Sequence, residues 1–230
     1  MYNKLLKIVK NDFENVPYHN FWMILNKGLK ASELGGICSD KALYLNRTLK
    51  FHNFDTVLYS AFIDGKGLHK INKVKIGSDS YFVDTGLGWP ILTPIPINKE
   101  IIIRNYGLSF RTLIENNKLN ILRISNNNEK LNYTILLDKN DETLVINELN
   151  DSYNKDIKYP FRNSIRFSQV IDEEFYFLKG NKFYYSVKNK LFTRNINKWN
   201  DFYDIFNNIF NFNLNMAKEV ALKLNMFEEE

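Results

Sequence analysis

Apolar residues recur at helical spacing through the first fifty positions. Leu5, Ile8 and Val9 form one short apolar face, and Phe21, Ile24, Leu25 and Leu29 predict a second helix after Val16-Pro17. Gly35-Gly36 breaks the pattern. Ala42, Leu45 and Leu49 then predict a helix from near Cys38 to around Phe51, with Ser39 and Asp40 in its polar first turn. From there the period falls to two. Val57, Tyr59, Ala61 and Ile63 alternate with Thr56, Leu58, Ser60 and Phe62, which describes a strand covered on both faces. Gly65-Lys66-Gly67 reads as a turn, and His69–Ile76 and Ser80–Asp84 as strands joined at Gly77-Ser78-Asp79. Ile101–Arg104, Leu108–Leu113, Leu119–Ile124 and Leu131–Leu137 extend an antiparallel pattern of the kind that builds a small sheet or barrel.

After Pro160 the pattern changes again. Phe175–Leu178, Phe183–Val187 and Leu191–Arg194 read as short strands, and Trp199–Phe210 and Leu214–Leu224 as two terminal helices. The chain thus divides into a helical segment (1–54), a β segment (55–160) and a mixed segment (161–230), an α+β order with no internal repeat.

Composition narrows the class. The 230 residues are 44% hydrophobic and 25% charged, enough to bury a sizeable core and unlike a disordered chain. The net charge is +5, but the 31 basic residues are scattered rather than blocked, which argues against a nucleic-acid-binding domain. Such a balance describes a solvated surface, or one that mildly attracts a phosphorylated substrate such as a nucleotide thioester. One cysteine permits no intramolecular disulfide and no multi-cysteine zinc site, and fits a reducing compartment. The first ten residues resemble neither a signal peptide nor an anchor, and no stretch approaches membrane-spanning length. The expectation is a soluble cytoplasmic protein without metal, membrane or nucleic-acid partners.

That lone cysteine sits where chemistry is favoured. Cys38 opens a predicted helix, whose N-terminal N–H groups and dipole stabilise a thiolate. Gly35-Gly36 before it lets backbone approach closely and leaves room for a substrate carbonyl, with backbone N–H groups as an oxyanion site. The competing reading is a small buried core residue. Of three histidines, His52 follows the end of the Cys38 helix and His19 precedes a helix as a polar group. His69 opens a strand, and Asp84 ends the neighbouring strand 15 residues later, so a hairpin brings them together. An aspartate that orients a histidine, which in turn activates a thiol, is the logic of a catalytic triad. Taken alone, Asp84 before Thr85-Gly86 is most often just a turn acid.

The order Cys38, His69, Asp84 resembles the arylamine N-acetyltransferase family. Val16-Pro17-Tyr18-His19-Asn20-Phe21 is similar to that family's Pro-Phe-Glu-Asn-Leu, and Gly35-Gly36-Ile37-Cys38 to its Arg-Gly-Gly-aromatic-Cys. Leu68-His69 is similar to its histidine segment. Tyr81-Phe82-Val83-Asp84-Thr85-Gly86-Leu87-Gly88, followed by Pro90 and Thr93, is similar to its Val-Asp-Val-Gly-Phe-Gly run. The resemblance covers the first hundred residues closely and the remainder in outline.

It implies a helical first domain, an antiparallel β-barrel and a mixed α/β lid around a papain-like cysteine core. It also implies ping-pong transfer of an acetyl group from acetyl-CoA, through an acyl-cysteine, to an arylamine or arylhydrazine. Cys38 would be the nucleophile, His69 its base and Asp84 the orienting acid, with Gly36, Ile37, Gly86, Leu87, Gly88 and Trp89 expected against substrate. Trp89 is read either as an acceptor-pocket wall or as core packing. Leu34 and His19 depart from the family's arginine and glutamate and imply a substituted support. Two other acyl-transfer readings use the same triad: an amide synthase carrying a larger acyl chain, and a transglutaminase-like cysteine hydrolase.

Overall fold

The computed structural model describes residues 1–125, 128–154, 156, 159 and 161–227; Pro160, where the sequence pattern changes, lies outside them. Helix α1 (Tyr2–Asn15) buries Leu5, Val9 and Phe13 together with Asp12. A short strand β1 (Tyr18–His19) and a single turn α2 (Phe21–Ile24) follow, and then α3 (Cys38–Phe51).

The predicted second helix therefore ends at Ile24 rather than running to Leu29. Asn26 and Gly28 take φ of 56° and 70°, values no α-helix continues through. The apolar residues there serve different cores: Phe21 and Ile24 join one cluster, whereas Leu29 packs against another.

Eight antiparallel strands form a sheet curled as a half-barrel, in the order β5-β4-β3-β2-β9-β8-β7-β6. They are β2 (Asp55–Ile63), β3 (Lys66–Ile76), β4 (Asp79–Val83), β5 (Ile95–Pro96), β6 (Ile102–Asn105), β7 (Leu108–Glu115), β8 (Lys118–Ser125) and β9 (Asn128–Leu136). The β2–β3 turn is Asp64-Gly65, with φ of 49° and 76°, so Lys66 and Gly67 already belong to β3. Two positive φ values define the tight hairpin that Asp-Gly favours. Helix α4 (Glu142–Asn147) and a 3-10 helix (Glu148–Tyr153) come next. The periodicity does not reveal them, because each buries few residues: Val145 in the first, Leu149 and Ser152 in the second.

Strands β10 (Arg166–Ile171), β11 (Glu174–Lys179), β12 (Lys182–Val187) and β13 (Lys190–Asn195) form a second antiparallel sheet. Its first strand is β1: Tyr18 pairs with Ser168 and His19 with Phe167. The chain ends in α5 (Trp199–Asp204), a π-helical turn (Ile205–Ile209) and α6 (Leu214–Lys223).

The main core lies between α1, α3, the half-barrel and one face of the second sheet. A second core, rich in phenylalanine, fills the other face of that sheet beneath α2, α5 and α6. Among the described residues no helix is long and apolar enough to cross a membrane.

Candidate active site

Helix α3 starts at Cys38 because the chain is caught on its first turn by Asp40. The Asp40 Oδ2 accepts the Ile37 N–H at 3.1 Å, and Oδ1 accepts those of Lys30 and Ala31 at 2.7 and 3.1 Å. The Tyr153 hydroxyl also donates to Oδ2 and ties down the 3-10 helix. One buried carboxylate thus fixes both the loop before Cys38 and the segment that passes over it. Burial raises its pKa, although the Tyr153 and backbone hydrogen bonds oppose that rise. Gly36 must be glycine: at φ +150° a Cβ would stand 2.5 Å from the Asp40 carboxylate.

Cys38 is buried, with its Sγ 3.6 Å from the Leu68 carbonyl oxygen. His69, next along β3, places Nε2 2.8 Å from Asp84 Oδ2. The imidazole also lines the same cleft as Cys38, close enough for the two side chains to act on each other. The pairing register explains the meeting. Asn72 opposes Val83 on β3 and β4, so Asp84, just past the end of β4, reaches diagonally back to His69.

The other Asp84 oxygen accepts the Gly86 N–H at 2.9 Å. Gly86 presses against the cysteine so closely that a Cβ there would stand 2.6 Å from the Cys38 Cα. Tyr133, wholly buried, packs its ring 4.8 Å from the imidazole. Burial lowers the His69 pKa, but the Asp84 charge and hydrogen bond, then those of Cys38, outweigh it and push the value up to about 10. The imidazole is therefore charged at neutral pH.

A narrow cleft opens on Cys38 and His69, with about 20 Å³ of free space, room for one water. Ile37, Gly86 and Leu87 line it, as do Tyr18, Ile63, Leu68, Tyr159 and Phe161. Gly36, Gly88 and Trp89 stand behind it. The Gly88 carbonyl accepts the Ser168 hydroxyl at 2.7 Å, and Trp89 is packed between Phe175, Phe177 and Tyr184. Among the described residues no cluster of three or more His, Cys, Asp or Glu is placed to hold a metal.

A sequence model of the N-acetyltransferase family matches residues 3–220. This chain belongs to the arylamine N-acetyltransferase family. It is therefore an acyltransferase. No curated protein sequence matches it significantly. Among solved structures, the arylamine N-acetyltransferase from Mycobacterium abscessus shares its fold at a TM-score of 0.80 and 14% identity, covering 100% of this chain and 89% of that one. The Mycobacterium marinum enzyme in complex with CoA superposes at 0.80 with 12% identity, covering 98% and 92%. The Salmonella typhimurium enzyme does so at 0.78 with 13% identity, covering 96% and 92%.

In this family member the substituted support is a hydrogen bond. The buried His19 donates from Nε2 to the Leu34 carbonyl oxygen at 2.9 Å and accepts the Phe21 N–H at Nδ1. Burial depresses the His19 pKa to about 4, against the pull of the Leu34 bond, so the ring is neutral near pH 7. The Leu34 side chain, which makes no such link, is exposed.

Sequence reasoning missed a second buried device. Lys41, three residues after Cys38, places Nζ 2.7 Å from Asp12 Oδ2 and also donates to the Val16 carbonyl. Both side chains are buried. Burial raises the Asp12 pKa and lowers that of Lys41, each opposed by the other's charge. The pair clamps α1 to α3, and Lys41 also feels the Asp84 charge. A lysine within an otherwise apolar helix face was the only sequence signal for it.

Proposed function

We propose that this enzyme transfers an acetyl group from acetyl-CoA, through a thioester on Cys38, to the nitrogen of an arylamine or arylhydrazine. The observation that carries this reading is Cys38, at the start of α3, sharing a cleft with His69, which is hydrogen-bonded to Asp84. It is supported by family membership and by the shared fold of the M. marinum enzyme, whose structure contains CoA.

The imidazolium of His69 and the positive end of α3 stabilise negative charge on the sulfur. The Cys38 thiolate attacks the thioester carbonyl, and the helix N-terminus supports the charge that gathers on the carbonyl oxygen. The carbon–sulfur bond to CoA breaks, and the departing thiolate takes the His69 proton. The amine then attacks acyl-Cys38, and neutral His69 removes the amine's proton. Collapse releases the amide and restores the thiolate–imidazolium pair. Asp84 holds His69 in orientation throughout.

Residues 161–230 act as a lid over the nucleophile-bearing segment 1–54 and the segment 55–160 that carries His69 and Asp84. Phe161 is the lid residue that lines the cleft. A cytoplasmic location suits a lone reactive thiol.

The test follows CoA thiol release from acetyl-CoA by purified protein. Without amine, a burst stoichiometric with enzyme is expected; an arylamine converts it to turnover, and Cys38→Ala abolishes both. Steady release without amine would replace this reading with hydrolysis. No release from any short acyl-CoA, while Cys38 alkylates readily, would replace it with amide synthesis from a larger donor.

A further inference from the structure

Five cations gather on one rim of the molecule without ion-pair partners among the described residues. Three form a row across the second sheet: Arg166 is the cross-strand partner of Lys179, and Lys179 of Lys182. Two more, Arg123 and Lys130, oppose each other on β8 and β9 of the half-barrel. The strand alternation turns the row toward Trp89. Phe175 and Phe177, on the same face of β11 as Lys179, have ring centroids 5.9 and 4.7 Å from Trp89. Tyr184, two residues past Lys182, lies 5.2 Å from it. From the half-barrel, the Arg123 guanidinium stacks 3.9 Å above the same indole.

The two sheets thus bring their cations together at one seam. Lys179 is close enough to all four others for their charges, after burial, to lower its pKa. Like charges placed directly opposite across strands destabilise a sheet. Elsewhere the protein pairs such cations, as Arg111 with Glu100 and Glu129. None of these five makes an ion pair with a described residue.

The rim also connects to the cleft. Arg166 stacks 4.2 Å over the ring of Phe161 and acts on the hydroxyl of Tyr18, and both of those residues line the cleft above Cys38. The Arg166 Nε is buried without a hydrogen-bond partner. From there the row runs outward to Lys179 and Lys182, which are exposed.

We infer that this rim, from Arg166 through Lys179 and Lys182 with Arg123 and Lys130 opposite, binds the phosphate groups of the CoA thioester whose acyl end enters the cleft. The inference rests on the acetyl-CoA reading above and adds to it the residues that hold the donor's anionic end. CoA carries a diphosphate and a 3′-phosphate at one end and its thioester at the other, joined by a flexible arm. A cation row that starts at the cleft edge and ends in solvent matches that layout.

The test compares acetyl-CoA with S-acetylpantetheine, which presents the same thioester without nucleotide phosphates. Lys179→Glu/Lys182→Glu is expected to reduce the preference for acetyl-CoA over acetylpantetheine about tenfold or more, mainly through KM for acetyl-CoA, and Lys179→Arg/Lys182→Arg to retain it. Wild-type KM for acetyl-CoA should climb with added salt, and that for acetylpantetheine should not. Calorimetric titration with adenosine 3′,5′-bisphosphate provides a readout independent of turnover: binding is expected in the wild type and lost in the Glu/Glu variant.

An unchanged donor preference, or bisphosphate binding indifferent to the substitutions, would overturn the inference. So would salt-dependent binding of single-stranded RNA with no binding of the bisphosphate. Lysine-dependent bisphosphate binding in a protein that acetylates no amine would leave the rim standing and remove the transfer reading instead.

Discussion

Around Cys38 the chain is held by directional bonds; around Phe167 it is held by rings. On the first side, Asp40 collects three backbone N–H groups and a phenol, Asp84 joins an imidazole to a backbone amide, and Lys41 is buried against Asp12. On the second, Phe167 meets Phe21, Phe206, Phe210 and Phe212 with centroids 4.4–5.5 Å apart, and no ion pair among the described residues enters the cluster. Packing tolerates small shifts, because dispersion and burial depend weakly on angle, whereas a hydrogen-bonded carboxylate fixes atoms in place. Directional contacts are concentrated in the first region, around the proposed catalytic residues, and ring packing in the second.

Substitutions at Asp84 and Phe167 should separate these roles most sharply. Asp84→Asn is expected to reduce kcat/KM about ten-thousand-fold with little change in thermal midpoint, because the imidazole loses its orienting charge. Phe167→Ala should do the reverse: a loss of about 3–5 kcal/mol in denaturant unfolding, with near-normal turnover per folded molecule at low temperature. Near-normal turnover in Asp84→Asn would remove Asp84 from the proposed triad.

A smaller effect tests whether the polar side also carries stability. Lys41→Met alone strands Asp12 and should cost about 3–5 kcal/mol, whereas Lys41→Met with Asp12→Leu should recover most of it. If single and double variants unfold alike, the pair contributes little to clamping α1.

The smallest effect lies at the seam between the regions, where His19 bonds to Leu34 on one side and stacks on Phe167 on the other. Its pKa is lowered from 6.5 to about 4 in the fold. Between those values the unfolded chain binds a proton that the folded chain does not. Stability should therefore fall as pH drops through that window, by about 3 kcal/mol in all. The His19→Gln variant should show a shallower acid limb; coincident limbs would mean that His19 is not the group responsible.

Much of this was legible in the chain, for a physical reason. Helix α3 and the hairpins of the half-barrel bury one continuous face each, and such faces leave a period in the sequence. The spacing from His69 to Asp84 marked the hairpin that joins them. Segment 20–37 was illegible because its apolar residues serve three clusters, most of them from a non-helical path. Asp40, Lys41 and Asp12 were missed for a related reason: their partners lie on other elements, and a buried polar contact leaves no period. For Asp40 the local hint was the cap it makes on Ile37, an acid at the third position of a helix. The cations of the rim looked scattered because register, not sequence, assembles them.

The pairing of β1 with β10 bears on how the molecule is made. The strand edge offered by Tyr18 and His19 finds its partner in Ser168 and Phe167, roughly 150 residues downstream. During synthesis, the loop that presents the cysteine must wait, one flank open, until most of the polypeptide has left the ribosome. Only then can β10 close on that flank, so the surroundings of Cys38 are completed among the last events of folding.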